Sequence, residues 1–279
     1  MTQSTNPALV KYPRTRHVEG SRRQAGDDAT DHKLAALAGQ PVVATEKLDG
    51  ANCAVSFTTD GRLLLQSRGH YLTGGPRERH FALFKTWANV HAPALFAALG
   101  SRFVMYGEWL YAKHTVFYDQ LPHYFVEFDL LDREAGAFLS TAARREVLYG
   151  VPVVPAPRLH NGPVSRPADL DRLVGPSLYK SAAWRDALAR AAEASGSRQD
   201  HVARQTEDSD LAEGVYLKQE AGGRVIERAK YVRADFVQAI ATADDHWQSR
   251  PILPNALAPG IDILAPETGV EGAYDDPDA

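Results

Sequence analysis

The chain has 279 residues, 44% of them hydrophobic, with a formal net charge of -4. That length suits one large domain with a substantial core. The acidic balance excludes a uniformly basic surface, so a nucleic-acid partner needs a local basic patch, and the single cysteine, Cys53, excludes an internal disulfide and a cysteine-based zinc site.

The opening stretch MTQSTNPALVKYPRTRH has no apolar signal-peptide core, and no run reaches the length of a membrane span. A cytoplasmic protein, monomeric by default and without a membrane, is therefore expected. Residues 1–33 are polar and basic (KYPRTRH, GSRRQ) and read as an arm leading into the domain: a phosphate-binding arm or a solvated loop. Residues 42–45 and 52–57 read as strands. The Asp-Gly pair in TTDG predicts a hairpin turn into a return strand over 62–67. RHFALFKTWANVHAPALFAAL has Phe81, Phe84, Trp87 and Val90 at helical spacing, with Pro93 interrupting. RFVMYGEWLY and HYFVEFDLLD read as strands. STAARREVLY reads as a short helix capped by Ser140, and VPVVPAPRL as extended chain. SLYKSAAWRDALARAAEASG predicts a helix with Trp184, Leu188 and Ala191 on one face, ended by Gly196. EGVYLKQE and GRVIERAKYV form a late hairpin, and ADFVQAIATA reads as helical. The tail beyond residue 243 is rich in Pro, Asp and Gly; within it HWQSRPILPNAL reads as a packed cap, with Trp247 and Arg250 its nucleic-acid candidates. Hairpins separated by helices predict an α+β fold with mainly antiparallel sheets.

The chemistry gathers at strand ends. In EKLDGAN, Lys47 closes a strand beside an Asp49-Gly50 turn, with Asn52 on the same face as Gly50 by alternation. Alone, this pattern reads as a hairpin with a surface lysine paired to Glu46 or Asp49. A lysine is a nucleophile only when neutral, a state that burial or neighbouring cations favour. QSRGH then places Arg68 at a strand end, YGEW places Glu108, and EFDL places Phe128 and Asp129 in alternation. EGVYLK and ERAKYVR add Glu213, Lys218, Arg228, Lys230 and Arg233. Each fragment is common; the ordered set is the signal. His70 and His114 lie nearest this set and read as structural or solvent-facing.

That ordered set resembles the covalent nucleotidyltransferases, which include polynucleotide ligases and mRNA capping enzymes. It is most similar to ATP-dependent RNA ligases of the RNA ligase 2 type, over about residues 12–236. The resemblance implies a nucleotidyltransferase domain over 34–243, between the 1–33 arm and a 244–279 extension. It implies that Lys47 attacks the α-phosphate of ATP to form a lysine–AMP adduct. Glu46 and Asn52 would line the nucleotide pocket, with Tyr12 as an N-terminal aromatic residue there. Arg68 would touch ribose or phosphate, and Glu108 ribose hydroxyls or metal. Phe128 would stack on adenine, Glu213 would act through Mg2+ (or Mn2+), and Lys230 would hold the α-phosphate. The family's final motif carries paired lysines; here Arg228–Lys230 and Lys230–Arg233 are both open registers, and Trp109 replaces the usual aliphatic residue.

The stretch after Lys230 is too short for an OB-fold domain, which favours RNA ends or a nicked RNA duplex as partner over the substrates of DNA ligases and capping enzymes. The alternatives are a minimal DNA ligase or GTP-using guanylyltransferase, and a non-catalytic RNA-binding module.

Overall fold

The computed structural model describes residues 6–23, 32–37, 40–236 and 252–265. In chain order the elements begin with β1 (Arg16–His17), β2 (Pro41–Lys47), β3 (Ala51–Phe57), β4 (Leu63–Ser67), α1 (Ala82–Val90) and α2 (Ala92–Leu99). They continue with β5 (Phe103–Trp109), β6 (Phe125–Asp132), β7 (Ala137–Phe138), α3 (Thr141–Leu148), β8 (Val154–Pro155) and β9 (Arg158–Pro163). The last are α4 (Pro167–Leu173), α5 (Trp184–Ala194), α6 (Gln199–Arg204), β10 (Gly214–Ala221) and β11 (Arg224–Val232).

The strands form two sheets, one ordered β1-β11-β10-β2-β9 and the other β4-β3-β5-β6-β7 with β8 on β6. Pairing is antiparallel except for β1 on β11 and β8 on β6. The fold is thus α+β with mainly antiparallel sheets flanked by helices.

Alternation gives each sheet an outer apolar face and an inner face turned to its partner sheet. In the first sheet Val42, Ala44, Val215, Leu217, Ala229 and Tyr231 pack outward with Leu170 of α4 and with Leu34 and Leu37. In the second, Cys53, Val55, Phe57, Met105 and Phe125 share a core with Phe84 and Trp87 of α1 and Leu95 of α2. Ring contacts of Phe84 with Trp109 and Phe125 fix that layer. The inner faces carry the polar residues considered below.

Local chemistry explains most boundaries. The α1–α2 break falls at His91, with Pro93 in the first turn of α2, where its missing N–H costs nothing. Ser140 caps α3 by accepting from the Ala143 N–H at 3.3 Å. The helix expected from Ser177 starts only at Trp184. Residues 177–179 are held elsewhere: the Ser177 hydroxyl donates to Glu46, and the Tyr179 carbonyl accepts from the Asp119 N–H. The short, charged α4 and α6 and the two-residue strands carry no periodic signal, and sequence patterning passes over them. Of the stretch expected to be helical after Arg233, residues 237–243 lie outside the described residues, as do Trp247 and Arg250. No described helix is long and apolar enough to cross a membrane.

Residues 252–265 lie across the loops that follow β5. Asn255 is buried; its carboxamide accepts from the Tyr118 N–H at 3.0 Å and donates to the Leu110 carbonyl at 2.7 Å, while its own carbonyl accepts from the Tyr124 hydroxyl. Further on, the Ile263 carbonyl accepts from the buried His91 ring.

Gly214, which opens β10, is required by close approach: a Cβ there would lie within the van der Waals radius of the Tyr231 carbonyl oxygen on β11. Gly214→Ala therefore forces the strands apart, and overpacking of this kind costs about 1–3 kcal/mol. The expected outcome is a thermal midpoint lowered by several degrees, as read by calorimetry; an unchanged midpoint would show that β10 and β11 separate at no cost.

Candidate active site

The segment KLDG does not turn a hairpin. Lys47 ends β2 in the first sheet, and Ala51 opens β3 in the second, so the chain crosses between sheets at Leu48–Gly50. Gly50 makes the crossing possible: a Cβ there would meet the Leu110 side chain at 2.7 Å and the Trp109 carbonyl at 2.8 Å. Asp49 is an anchor rather than a turn-former. Its buried carboxylate accepts from the N–H groups of Thr115 at 2.7 Å and Val116 at 2.8 Å, and its own N–H donates to the Tyr118 hydroxyl.

Lys47 shares the inner face of the first sheet with Thr45, and it pairs with Gly214 across the ladder. Glu213, one residue earlier, places its carboxylate 2.7 Å from the Lys47 ammonium; the two side chains are 15% and 2% exposed. Across the cleft Glu108 stands opposite Asn52 in the β3–β5 register. Burial raises Glu108 to about 8, with the negative charges of Asp49 and Glu213 adding to it and Lys47 opposing. Burial likewise raises Glu213 to about 6, Asp49 adding and Lys47 opposing. Burial would lower Lys47, but the Glu213 carboxylate hydrogen-bonded to it outweighs that and holds the amine firmly protonated. This reverses the expectation that neighbouring cations keep Lys47 neutral: its neighbours are carboxylates.

A β-bulge between Tyr106 and Gly107 makes Phe128 an extra residue on β6. Simple alternation would send Phe128 and Asp129 to opposite faces; with the bulge both face the first sheet. The Phe128 ring lies nearly parallel to Tyr216 of β10 (16°, centroids 6.3 Å apart), and the Lys47 ammonium stands 5.9 Å from the Tyr216 centroid. Tyr216 is the residue sequence reasoning missed; in EGVYLK the period of two puts it on the face of Gly214 and Lys218. Tyr12 packs edge-on against Phe128 at 5.1 Å and donates its hydroxyl to Asp129 at 2.6 Å. Asp129 also pairs with Lys218 at 2.7 Å, and Arg228 lies 3.5 Å away with its guanidinium over Phe138.

The remaining candidates separate clearly. Arg228 and Lys230 share the inner face of β11, opposite Lys218 and Tyr216, and Lys230 lies within electrostatic reach of Glu213. Arg233 lies past the strand end, buried and committed to Glu207 and Asp235, each at 2.8 Å, and to the Ala212 carbonyl. The structure therefore favours the Arg228–Lys230 register over Lys230–Arg233. Glu46 is turned by alternation to the opposite face from Lys47, where it accepts from Ser177 at 2.5 Å and from the Leu178 N–H at 3.1 Å; it does not join the cluster. Arg68 is exposed just beyond β4, its charge reaching Tyr216. His70 bonds Ser67, and His114 lies 4.0 Å from Asp49.

Among the described residues no three His, Cys, Asp or Glu side chains form a metal cage. Magnesium is usually held by one or two carboxylates together with substrate phosphates. Glu108, half-buried, and Glu213, buried beside Lys47, both with raised carboxyls, fit that pattern.

The RNA ligase family model matches residues 40–232, which takes in the clustered residues from Lys47 to Lys230. The chain belongs to the RNA ligase family. Among solved structures it is similar to a lysine-to-alanine variant of the Naegleria gruberi RNA ligase with ATP and Mn, at 16% identity over 78% of this chain and 59% of that one, with a TM-score of 0.47. The Naegleria gruberi RNA ligase with PPi gives 16% identity over 82% and 61%, at 0.46. An archaeal ATP-dependent RNA ligase gives 15% over 80% and 48%, at 0.47. The chain thus spans about 59% of the length of the first of these structures. No curated protein matches it.

The carboxylates of this RNA ligase family member make its stability depend on pH. The native state binds the Glu108 proton more tightly than the unfolded chain does, so that contribution is complete below the ordinary value of 4.5 and is lost as pH rises through about 8. The unfolding free energy of the wild type, read from denaturant titrations, should fall by at least about 1 kcal/mol between about pH 5 and 9. Glu108→Gln should lose the part of the slope centred near 8 and keep that of Glu213, centred near 6, and of the other raised carboxyls. Parallel profiles for the two proteins would refute the assignment.

Proposed function

We propose that the protein is an ATP-dependent RNA ligase working through a lysine–AMP intermediate on Lys47. The observation that carries this reading is the Lys47–Glu213 pair at 2.7 Å, its carboxylate buried and its amine partly exposed, with Glu108 and Tyr216 beside it, in a chain of the RNA ligase family. An isolated structural ion pair needs none of these neighbours.

In this reading residues 34–243 act as the nucleotidyltransferase domain. The purine stacks on the near-parallel rings of Phe128 and Tyr216, with Tyr12 supporting Phe128 from its edge. Asn52 lines the pocket, and Arg68 and Lys230 take the phosphates. Arg228 contributes charge from the same face of β11, while Arg233 and Glu46 hold the walls. Glu108 and Glu213 would hold magnesium, which when bound supplies positive charge to the triphosphate oxygens. The Lys47 amine, once deprotonated, attacks the α-phosphorus; an N–P bond forms, the P–O bond to the β-phosphate breaks, and pyrophosphate leaves. AMP then passes to an RNA 5′-phosphate, and a 3′-hydroxyl attacks that adenylated end, forming the phosphodiester and releasing AMP. Positioning and electrostatics provide nearly all the catalysis in such transfers. Cytoplasmic repair of nicked or broken RNA by a monomer is the proposed setting, and the single buried cysteine suits a reducing compartment.

Radiolabelled ATP with magnesium should leave a covalent label on the wild type and none on Lys47→Ala or Lys230→Ala. Excess GTP should not compete, and nicked RNA should be sealed in preference to nicked DNA. Label that survives Lys47→Ala would end the proposal.

Loss of a stacking face should weaken ATP binding. Base stacking on an aromatic side chain is worth about 1–3 kcal/mol, so Tyr216→Ala should raise the apparent KM for ATP roughly tenfold, with the maximal adenylation rate less affected. An unchanged KM would place the purine elsewhere.

A further inference from the structure

Residues 110–124, between β5 and β6, form no helix or named strand, yet most of them are buried. A connection of that length without secondary structure is uncommon and usually functional. Its buried backbone groups need partners, and residues 253–256 supply several of them. The Lys113 N–H donates to the Leu253 carbonyl at 2.8 Å, and the Leu121 N–H to the Ala256 carbonyl at 3.1 Å. In return the Asn255 N–H donates to the Tyr111 carbonyl at 2.8 Å, and the Ala256 N–H to the Tyr118 carbonyl at 2.9 Å.

Asn255 is the centre of this strap. It is 1% exposed, and both ends of its carboxamide are bonded: Oδ1 accepts from the Tyr118 N–H at 3.0 Å, and Nδ2 donates to the Leu110 carbonyl at 2.7 Å. Removing the carboxamide strands a buried donor and a buried acceptor, whose groups then move to find new partners.

The loop held in this way is the one that grips Asp49. Tyr118 is fixed through its N–H by Asn255 and through its carbonyl by Ala256, and its hydroxyl accepts from the Asp49 N–H at 2.9 Å. The Thr115 and Val116 N–H groups reach the Asp49 carboxylate at 2.7 and 2.8 Å. Lys47 is the last residue of β2 and of its ladder with β10, so beyond it the chain depends on how the crossing between sheets is anchored. Asp49 is that anchor, and its charge also bears on Glu108 and Glu213.

We propose that Asn255 is a positioning residue for the Lys47 amine, acting through the Tyr118 hydroxyl and Asp49. The residues it bonds, Leu110, Tyr111, Tyr118 and Tyr124, have no role toward ATP in the reading above, so it acts on the rate of attack and not on nucleotide affinity. The effect on rate rests on Lys47 being the nucleophile; the mechanical link from Asn255 to Asp49 does not.

The test uses the full chain and the variants Asn255→Ala, Tyr118→Phe and their combination. Single-turnover labelling with saturating radiolabelled ATP and magnesium gives two numbers: the labelled fraction, which counts folded sites, and the rate constant, which reads positioning. Misplacing a reacting atom by about 1 Å costs about a hundredfold, so partial loosening should lower the rate constant in each single variant by roughly tenfold, with the KM for ATP unchanged. The double variant should be no slower than the slower single one, because both substitutions break one chain of contacts. Hydrogen exchange without nucleotide gives a reading independent of activity. Loss of a hydrogen bond corresponds to about tenfold, so the amides of residues 47–50 should exchange faster by about that factor in both single variants, with β6 unchanged. A reduced labelled fraction with a wild-type rate constant, slowing that multiplies in the double variant, or faster exchange at 110–124 but not at 47–50 overturns the proposal. Tyr118→Phe keeps every bond that Asn255 makes, and it decides the matter where Asn255→Ala fails to fold: wild-type rate and exchange in it overturn the proposal, and slower labelling with faster exchange sustains it. A wild type that takes no label overturns the ligase reading separately, and exchange at 47–50 then decides the link to Asp49 by itself.

Discussion

The ion pair between Lys47 and Glu213 is the constraint around which the site is arranged. Glu213 is buried and Lys47 is only partly exposed, so each charge depends on the other; removing one partner of such a pair is more damaging than the net worth of the pair suggests. Their contact at 2.7 Å follows from backbone register: Lys47 lies opposite Gly214, and Glu213 is the residue before it. The same register sets Tyr216 opposite Thr45 and Lys218 opposite Val43, so beyond the amine and its carboxylate one ladder delivers the aromatic face and the next cation two residues apart. Gly214 is the condition for that ladder, because no side chain fits against the Tyr231 carbonyl.

A second ionic knot ties the two sheets together behind the pair. Asp129 receives the Tyr12 hydroxyl, the Lys218 ammonium and the nearby Arg228 guanidinium, while Glu127 pairs with Arg144 at 3.0 Å. Burial alone would raise the Asp129 carboxyl; Lys218, Arg144 and Arg228 outweigh it and hold it below the ordinary value. The two knots therefore differ in character. Around Asp129 cations are in excess and the carboxylate is settled. Around Lys47 carboxylates are in excess, and Glu108 and Glu213 are pushed upward. Satisfied buried networks rigidify a structure, whereas incompletely compensated ones are where chemistry concentrates.

Much of this was legible in the sequence, and the losses have definite causes. The strands, the capped α3 and the apolar stripe of α5 follow local rules, so periodicity found them. The residues from Lys47 to Lys230 were singled out because each sits within a motif, Lys47, Glu108 and Glu213 at or beside a strand end and Phe128 inside β6. Sheet membership is not local, and so Asp49-Gly50 read as a hairpin turn when it is a crossing between sheets. The bulge at Phe128 depends on pairing with β5 and leaves no mark in EFDL. Glu46 was placed in the pocket by the family resemblance, although period-two alternation, applied strictly, separates it from Lys47. Tyr216 could have been found by that same rule. Asn255, in contrast, has no pattern around it; its importance comes wholly from the loops it happens to meet.

The charge balance at Lys47 also bears on how a nucleotide could be received. A triphosphate approaching Glu108, Glu213 and Asp49 meets like charge at close range, and burial makes that repulsion stronger than it would be in water. Two features reduce it: Glu108, raised to about 8, is largely protonated at neutral pH, and Lys47 with Lys230 supplies positive charge beside Glu213. The residual repulsion falls on Glu213, which is the group that keeps Lys47 protonated. Whatever positive charge draws Glu213 away from Lys47 thus serves two purposes: it admits the phosphates and it lowers the affinity of the amine for its proton. Under the function proposed above, nucleotide binding and activation of Lys47 are one electrostatic event, centred on the carboxylate that holds the lysine protonated.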